Sequence, residues 1–171
     1  LELPDGFGAA LDGAIAALGG VDTVVVTAGL FATQDRLEAD PKFRRRLLEV
    51  DFVRTIEFCE AARERLLARG GGTLCVFGSV AGDRGRASNY LYGSAKAAVS
   101  AFLSGLRQRL SSEGVNVLTI KPGFVDTPMT EQFKKGVLWA SADQVAAGIV
   151  GAIEKRRSVA YLPWFWSVIM L

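Results

Sequence analysis

The sequence predicts an α/β fold in which a doubly wound parallel sheet lies between two helical layers, an α/β/α arrangement. Short runs rich in β-branched residues, typical of strands buried on both faces, alternate with helical segments of ten or more residues. Half of the 171 residues are apolar, enough for a sizeable core. No internal repeat or interdomain linker interrupts the pattern, so we expect a single domain over residues 1–171.

The first half of the chain predicts two helices and two strands. A helix over residues 4–18 ends at consecutive glycines, and a longer amphipathic helix over residues 42–69 ends in the same way. The strands predicted after them are residues 22–27 and 73–77, each a short apolar run. The sequence opens at Leu1 in what looks like the exit from a strand, so we expect the first strands of the sheet to lie outside it.

The second half continues the same alternation. Ser141 and Gln144 have the spacing of a capping box, which marks the start of a helix. The predicted elements are, in order, a helix at 89–112, a strand at 116–121, a helix from Ser141 to about 156 and a strand at 159–162. Parallel strands joined by helices need right-handed crossovers, so we expect helices on both faces of the sheet.

The composition excludes several classes of function. The chain has no histidine, which removes Ser-His-Asp and Cys-His nucleophiles and histidine-containing metal sites, and we predict no metal. The net charge is only +2, and the arginines at 44–46 fit a solvated helix face better than a phosphate-binding patch, so we predict no nucleic-acid partner. Cys59 and Cys75 stand alone in apolar runs and are interpreted as buried thiols of a reducing, cytoplasmic compartment.

The most informative motif is Tyr92-Gly-Ser-Ala-Lys96. Residues four apart on a helix share a face, so we expect the Lys96 ammonium beside the Tyr92 phenol. An unperturbed phenol has a pKa near ~10, and a fixed positive charge lowers that pKa toward the working range of a proton donor. Ser79, thirteen residues earlier at a predicted strand end, could orient a carbonyl or alcohol, so the three side chains suit proton-coupled hydride transfer. Tyr90 has Ser94 instead of a cation four residues on, and we assign it to substrate lining or packing.

The candidate residues fall at the carboxyl ends of three predicted strands, where parallel sheets bind ligands. These strand ends are residues 27–29, 78–79 and 122–123. For Ala28-Gly29, two interpretations stay open: a turn glycine, or the close approach of a cofactor.

With these residues, the chain from about residue 3 to residue 162 resembles the short-chain dehydrogenase/reductase family, whose sheet is Rossmann-like. The resemblance implies that Tyr92 is the general acid/base and that Ser79 binds the reacting oxygen. It implies that Lys96 lowers the pKa of Tyr92 and holds the nicotinamide ribose. NAD or NADP would be the cofactor, with no preference between them. The matching cofactor-binding positions are Thr27, Ala28, Gly29, Tyr92, Lys96, Pro122, Gly123, Val125 and Thr127.

Three features depart from the family's pattern. The fourth catalytic position, an asparagine in the family, falls on Asp51, whose negative charge would alter a water relay to the lysine but leave its backbone role intact. Thr27 replaces an asparagine that braces the sheet, and its hydroxyl could partly substitute. The family's Gly-rich turn does not occur in this sequence, and the Gly-x-Gly at 6–8 is interpreted as a helix entry. Glu2 and Asp5 are candidates for contact with the adenine side of the cofactor.

By the same resemblance, residues 127–141 would form a lid over the substrate. The apolar side chains of this stretch favour a bulky or hydrophobic substrate, although packing on the domain's own core stays equally open. The predicted substrate contacts are Ser79, Phe124, Met129, Phe133 and Trp139.

Residues 161–171 form an aromatic, apolar tail that is too short to span a bilayer. Peripheral contact with a membrane interface, and folding onto the domain or a dimer partner, both stay open. Together with residues 123–130, the tail resembles the branch of the family that includes decaprenylphosphoryl-2-keto-ribose reductases, which act on a lipid-linked sugar at the membrane.

The sequence therefore predicts an NAD(P)(H)-dependent oxidoreductase that interconverts a carbonyl and an alcohol on a small-molecule substrate. We expect self-association, as a dimer or tetramer, through the helices at 42–69 and 89–112. The alternative is a non-catalytic domain of the same fold that holds a lipid or a protein partner. Asp51 and the lack of a Gly-rich turn favour this alternative, whereas the intact serine, tyrosine and lysine oppose it.

Overall fold

The computed structural model describes residues 6–170. Its strands are β1 Thr23–Val26, β2 Gly72–Phe77, β3 Val115–Pro122, β4 Phe124–Asp126, β5 Trp139–Ser141 and β6 Val159–Leu162. Strands β1, β2, β3 and β6 form a parallel sheet in that order, and β4 pairs with β5 in a separate parallel ribbon. All four predicted strands are present, whereas the three-residue strands β4 and β5 were not predicted because they are too short to show a periodicity.

The helices alternate with the sheet strands as predicted. They are α1 Phe7–Leu18, α2 Gln34–Ala39, α3 Pro41–Leu48, α4 Thr55–Ala68, α5 Tyr90–Leu110, α6 Ala142–Glu154 and α7 Trp166–Ile169. Gly6 is the N-cap of α1, which confirms the helix entry, and Gly19 ends this helix with a left-handed φ of 72°. The capping box of Ser141 and Gln144 opens α6 as predicted. Glu2 and Asp5 lie outside the described residues.

Two hydrophobic clusters cover the opposite faces of the sheet. Because side chains alternate along a strand, Leu74 and Val76 of β2 join one cluster and Cys75 joins the other. The first cluster includes residues of α1, α4 and α5, and the second includes residues of α6. The three-layer α/β/α arrangement is thereby confirmed.

Within the described residues, β1 is covered on one face. Val24 and Val26 belong to the cluster with α4 and α5, but Val25 between them is 45% exposed. Strand β1 is the last strand on its side of the described sheet, and the cluster beneath α6 draws its strand residues from β2, β3 and β6. Among residues 6–170, the other face of β1, which carries Val25, is open.

The long predicted helix at 42–69 is a helical run of three parts. Asp40 caps α3 by accepting hydrogen bonds from the amides of Lys42 and Phe43. A π-helical segment, Glu49–Arg54, joins α3 to α4. Such wide turns cluster at functional sites, and this one contains the fully buried Asp51.

The apolar tail folds back onto the domain. Trp166 of α7 is 2% exposed, and its ring meets Phe124 of β4 with centroids 5.5 Å apart. Trp164 remains 73% exposed. Of the two interpretations of the tail, packing on the domain therefore describes Trp166 but not Trp164. Among the described residues, no helix is long and apolar enough to cross a bilayer.

Candidate active site

Ser79 and Tyr92 meet at the carboxyl edge of the sheet. Ser79 directly follows β2 and Gly78, and its Oγ accepts a hydrogen bond of 3.1 Å from the Ala81 amide, which opens a short 3₁₀ turn, Val80–Gly82. Because that bond uses an oxygen lone pair, the hydroxyl proton of Ser79 is free to be donated. Tyr92 lies in the first turn of α5, close enough to Ser79 for the Ser79 side chain to lower the pKa of its phenol as a hydrogen-bond partner.

Two glycines let the Ser79 turn pack directly on α5. A Cβ at Gly93 would lie 2.7 Å from the Ala81 carbonyl oxygen, and a Cβ at Gly82 would lie 2.7 Å from the amide nitrogen of Ala97. Real Cβ atoms do not come so close to backbone atoms, so any side chain at either position would separate the turn from the helix. The separation between Ser79 and Tyr92 thus depends on these glycines, which the sequence interpretation did not single out.

Lys96 lies behind Tyr92 on the same face of α5, as the spacing predicts. Its Nζ is 5.6 Å from the centroid of the Tyr92 ring. The same nitrogen is 3.6 Å from Oδ2 of Asp51, and both residues are buried. The other carboxylate oxygen of Asp51 accepts a hydrogen bond of 2.6 Å from the Leu30 amide. Asp51 therefore connects the loop after β1 to the lysine of the Tyr-x-x-x-Lys motif.

The pKa of Tyr92 responds to burial and to the groups around it, and the lowering of that pKa by Lys96 stays a prediction. Burial raises the pKa of Tyr92 well above its ordinary value, the negative charge of Asp51 raises it further, and only the hydrogen bond with Ser79 lowers it. The ammonium of Lys96 lies beside Asp51, so its charge is balanced there. Burial also raises the pKa of Asp51, against the lowering effects of Lys96 and the Leu30 amide.

Gly29 lies against the Asp51–Lys96 pair. A Cβ at this position would be 3.4 Å from both Asp51 Oδ1 and Lys96 Nζ, and the φ of Gly29 is outside the left-handed region. That distance is an ordinary van der Waals contact, so both interpretations of Gly29, a turn glycine and the close approach of a cofactor, stay predictions. Thr27 and Ala28 are exposed at the end of β1. The bracing bond across this part of the site comes from Asp51 and Leu30 rather than from Thr27.

Phe31 was missed by the sequence interpretation. Its ring makes edge contacts with Tyr92, at a centroid distance of 5.1 Å, and with Phe133, at 5.8 Å. The predicted substrate residue Phe133 is thereby brought next to the tyrosine through Phe31. No signal in the sequence distinguished Phe31 from other apolar residues of its loop.

Tyr90 does not pack in the core, and its role in lining the substrate stays a prediction. Its side chain is 45% exposed, and its hydroxyl donates a 3.0 Å hydrogen bond to Glu38 of α2. The same carboxylate oxygen accepts a bond from Gln34, whose own amide oxygen accepts a 3.2 Å bond from the backbone amide of Leu91. Helix α2, six residues long and not predicted, thus helps to cap the start of α5.

The segment after β3 is held by the tail and by its own turn. Pro122 ends β3, and the amide of Gly123 donates a 3.0 Å bond to the Leu162 carbonyl. Thr130 Oγ1 donates a 2.6 Å bond to the carbonyl of Val125 and is part of a capping box with Thr127. These bonds fix the backbone of the four predicted cofactor-binding positions at Pro122, Gly123, Val125 and Thr127.

The other predicted substrate residues form a separate aromatic group. Phe124 stacks on Trp139 with centroids 5.4 Å apart and also touches Trp166 of the tail. Phe124 and Met129 are 43% and 46% exposed, whereas Trp139 is half-buried. The predicted lid at 127–141 therefore has one side chain, Phe133, in the aromatic chain to Tyr92, and another, Trp139, packed on β4.

A second polar cluster lies between the Ser79 turn and β6. Asp83, just after the turn, forms an ion pair with Lys121 of β3 and accepts a 2.9 Å hydrogen bond from the Tyr161 hydroxyl of β6. Lys121 also lies over the Tyr161 ring, 5.3 Å from its centroid. These residues are far apart in the sequence, and no local pattern connects them.

Within residues 6–170, no group of three or more Cys, Asp or Glu side chains is arranged to hold a metal ion. The two cysteines are free and buried. Burial raises the pKa of the Cys59 thiol to about 12 and that of the Cys75 thiol to about 11, as expected for structural cysteines.

The parallel sheet with helices on both faces, and polar residues at its carboxyl edge, define an α/β protein of the doubly wound class. A family model described as short chain dehydrogenase matches residues 3–137. The chain belongs to the short-chain dehydrogenase family.

Curated relatives agree with this assignment. An uncharacterized oxidoreductase of Mycobacterium tuberculosis is 35% identical over 150 residues, which are 88% of this chain and 60% of that protein. A 3-oxoacyl-[acyl-carrier-protein] reductase of Vibrio cholerae is 31% identical over 162 residues, 93% of this chain and 66% of that protein. The chain thus spans about three fifths to two thirds of the length of these relatives.

Solved structures share the fold. A short chain dehydrogenase from Burkholderia cenocepacia in complex with NADP superposes with a TM-score of 0.84, at 21% identity over 98% of this chain and 68% of that one. A 3-oxoacyl-[acyl-carrier protein] reductase from Brucella melitensis in complex with NAD gives a TM-score of 0.81, at 23% identity over 96% of this chain and 74% of that one.

Proposed function

We propose that the protein is an NAD- or NADP-dependent oxidoreductase that interconverts a carbonyl and an alcohol by hydride transfer. The observation that carries this proposal is the convergence of Ser79, Tyr92 and Lys96, from two separate elements, at the carboxyl edge of the sheet. The relatives' names as oxidoreductases, and the NADP and NAD bound in structural neighbours, support it.

The strand ends fit a dinucleotide. The carboxyl end of β1 is accessible, because Thr27 and Ala28 are exposed there. The backbone of Gly29 follows them and lies beside Lys96. We assign cofactor binding to these residues and to Pro122, Gly123, Val125 and Thr127 of the anchored segment after β3. When bound, the nicotinamide supplies or accepts a hydride at the substrate carbon.

Tyr92 is proposed as the proton donor and acceptor. In reduction its O–H bond breaks, and the proton goes to the substrate oxygen as the carbon gains the hydride; oxidation reverses both transfers. Ser79, held by the Ala81 amide, donates its hydroxyl proton to the same oxygen. Lys96 holds the nicotinamide ribose and, with Asp51, sets the charge around the phenol.

We propose a bulky or hydrophobic substrate, bound between Ser79 and the lid at 127–141. One support is the series of ring contacts from Tyr92 through Phe31 to Phe133. Another is the partial exposure of the Phe124 and Met129 side chains. Trp139 is assigned a supporting contact through its stack on Phe124.

We propose that residues 1–171 belong to a single dinucleotide-binding and catalytic domain. We expect self-association, as a dimer or tetramer, through the helices at 42–69 and 89–112. In the first of these, Leu48, Phe52 and Val53 line an open groove of about 800 Å³ together with charged residues.

The test is nicotinamide absorbance with a panel of hydrophobic ketones, using the full-length protein. Tyr92→Phe is expected to lower turnover by about 10²–10⁴-fold because the proton donor is lost. The matched control is Tyr90→Phe, two residues away on the same helix, which loses only the bond to Glu38 and should keep normal turnover. Near-normal turnover in the folded Tyr92→Phe protein contradicts the mechanism.

The second candidate is a non-catalytic binding domain of the same fold. It is favoured by the buried charge of Asp51, which raises the pKa of Tyr92. This candidate predicts no nicotinamide oxidation by the wild-type protein with any ketone of the panel, whereas turnover that depends on Tyr92 rejects it.

A further inference from the structure

Asp51 occupies an unusual position for an ionisable group. It is 0% exposed, and its Oδ2 has no hydrogen-bond partner among the described residues. The nearest cation to that oxygen is Lys96 Nζ at 3.6 Å, too far for a hydrogen bond but within range of an ion pair. A buried carboxylate without a counter-charge is strongly disfavoured, so the charges of Asp51 and Lys96 stabilise one another.

This pair changes what the site can do with the proton of Tyr92. With a neutral amide at position 51, the lysine charge would be unopposed and would favour a phenolate beside it. With the carboxylate, lysine and aspartate sum to zero, and ionisation of Tyr92 would leave the buried site with one net negative charge. Lys96 of α5 and the Leu30 amide of the loop after β1 face the Asp51 carboxylate. The phenol of Tyr92 feels the charge of Asp51 and has the Ser79 side chain as its hydrogen-bond partner.

We propose that Asp51 is a positioning residue that neutralises Lys96 and so keeps Tyr92 protonated, which fits the site to carbonyl reduction at neutral pH and confines alcohol oxidation to alkaline pH. The direction follows from the proton balance, because reduction starts from the phenol whereas oxidation needs the phenolate as its base. This inference rests on the proposed oxidoreductase function. It adds to that function the preferred direction at neutral pH and the residue that sets it.

The decisive variant is Asp51→Asn, which keeps the size of the side chain and removes its charge. Tyr92 ionisation is followed by phenolate absorbance, as the difference between each protein and the same protein carrying Tyr92→Phe. Removing the negative charge of Asp51, which raises the pKa of Tyr92, should raise the acid dissociation constant of Tyr92 about tenfold. Asp12→Asn is the control, because Asp12 pairs with Arg65 at an exposed site and its loss should leave the titration unchanged.

The kinetic readout is the pH dependence of both directions. In Asp51→Asn, the rate of oxidation should begin to rise at a lower pH, and the shift should equal the tenfold change in the acid dissociation constant of Tyr92. If Asp51 had only a structural role, the variant would lower the rates without moving the pH profile. Identical phenolate titrations in the wild type and Asp51→Asn overturn the inference. In the wild type alone, oxidation that is already maximal at neutral pH also overturns it, and this measurement does not depend on how the variant folds.

The two proposals fail in different ways. Turnover by the wild type with no shift in Asp51→Asn rejects the role of Asp51 and leaves the oxidoreductase intact. A shifted phenolate titration without any turnover supports the electrostatic role of Asp51 and rejects the oxidoreductase.

Discussion

The carbonyl oxygen of Ala81 lies 2.7 Å from the point where a Cβ of Gly93 would stand. The turn that holds Ser79 and the helix that holds Tyr92 are therefore in direct backbone contact, with no side chain between them. This contact brings the hydroxyl of Ser79 within hydrogen-bonding reach of Tyr92. Gly93, within the Tyr-x-x-x-Lys motif, and Gly82, three residues after Ser79, thus permit this contact because neither has a side chain.

We expect Gly93→Ala to lower the free energy of unfolding by about 1–3 kcal/mol, because the added methyl must displace the turn. Gly105→Ala on the same helix is the matched control, since a Cβ there meets nothing within 4 Å. The control should raise the free energy of unfolding by up to ~1 kcal/mol through helix propensity. Urea unfolding of both variants gives the comparison, and a Gly93→Ala protein as stable as the wild type contradicts the packing argument.

Gly123→Ala should loosen the tail. A Cβ at Gly123 would overlap the indole ring of Trp166, so the buried tryptophan has to leave its site. We expect a loss of about 1–3 kcal/mol in the free energy of unfolding and a red shift of the tryptophan emission as Trp166 meets water. Gly151→Ala in α6, where a Cβ has open space, serves as control and should change neither quantity in this direction. Unchanged emission from Gly123→Ala would argue that the tail is not packed against this loop.

Tyr161→Phe should weaken the contact between β6 and Asp83, the residue that follows the Ser79 turn. The variant removes the hydroxyl that donates to Asp83 and leaves the Asp83–Lys121 ion pair without its third member. A bond to a charged acceptor is worth more than a neutral one, but Tyr161 is only partly buried, so we expect a loss of about 1 kcal/mol. Tyr90→Phe, which loses an exposed bond to Glu38, should stay within about 0.5 kcal/mol of the wild type. Equal effects of the two substitutions in chemical unfolding would rule out a bracing role for Tyr161.

The two thiols should resist alkylation in the folded protein at neutral pH. Both are buried and protonated there, with pKa values of about 12 for Cys59 and about 11 for Cys75. As the pH rises, Cys75 should react first, and both should react quickly in denaturant; mass spectrometry of the alkylated protein measures this. Because these pKa values are raised on folding, the stability linked to them is present below the ordinary value of 9.0 and is lost as the pH rises through about 11 and 12. Rapid labelling of the native protein at neutral pH would contradict their burial.

Hydrophobic periodicity, together with helix-capping residues and helix-ending glycines, predicted the larger elements of the fold. The four sheet strands, the start of α6 and the end of α1 all carry local signals that the structure confirms. The elements that were missed are short or irregular: α2 has six residues, and the π-helical turn at Glu49–Arg54 has no pattern of its own. The start of α3 did carry a signal, Asp40 followed by proline, that places the helix one residue earlier than predicted.

The candidate site likewise has features that the sequence predicted and features that it did not. The pairing of Tyr92 with Lys96 could be predicted, because four residues on a helix fix which side chains are neighbours. The pKa of Tyr92 could not be predicted from that pairing alone, because it also depends on burial and on Asp51. Burial and the position of Asp51, which lies 41 positions before Tyr92 on another helical segment, are properties of packing.

The sequence alone thus determined the alternation of strands and helices, the family and the helical face shared by Tyr92 and Lys96. All of these follow from local spacing, which backbone geometry converts directly into structure. Only the tertiary structure decided that Asp51 lies beside Lys96 and that Phe31 links Tyr92 to the lid residue Phe133. Such contacts join segments that are distant in the chain, and their charge effects are set by how completely packing excludes water.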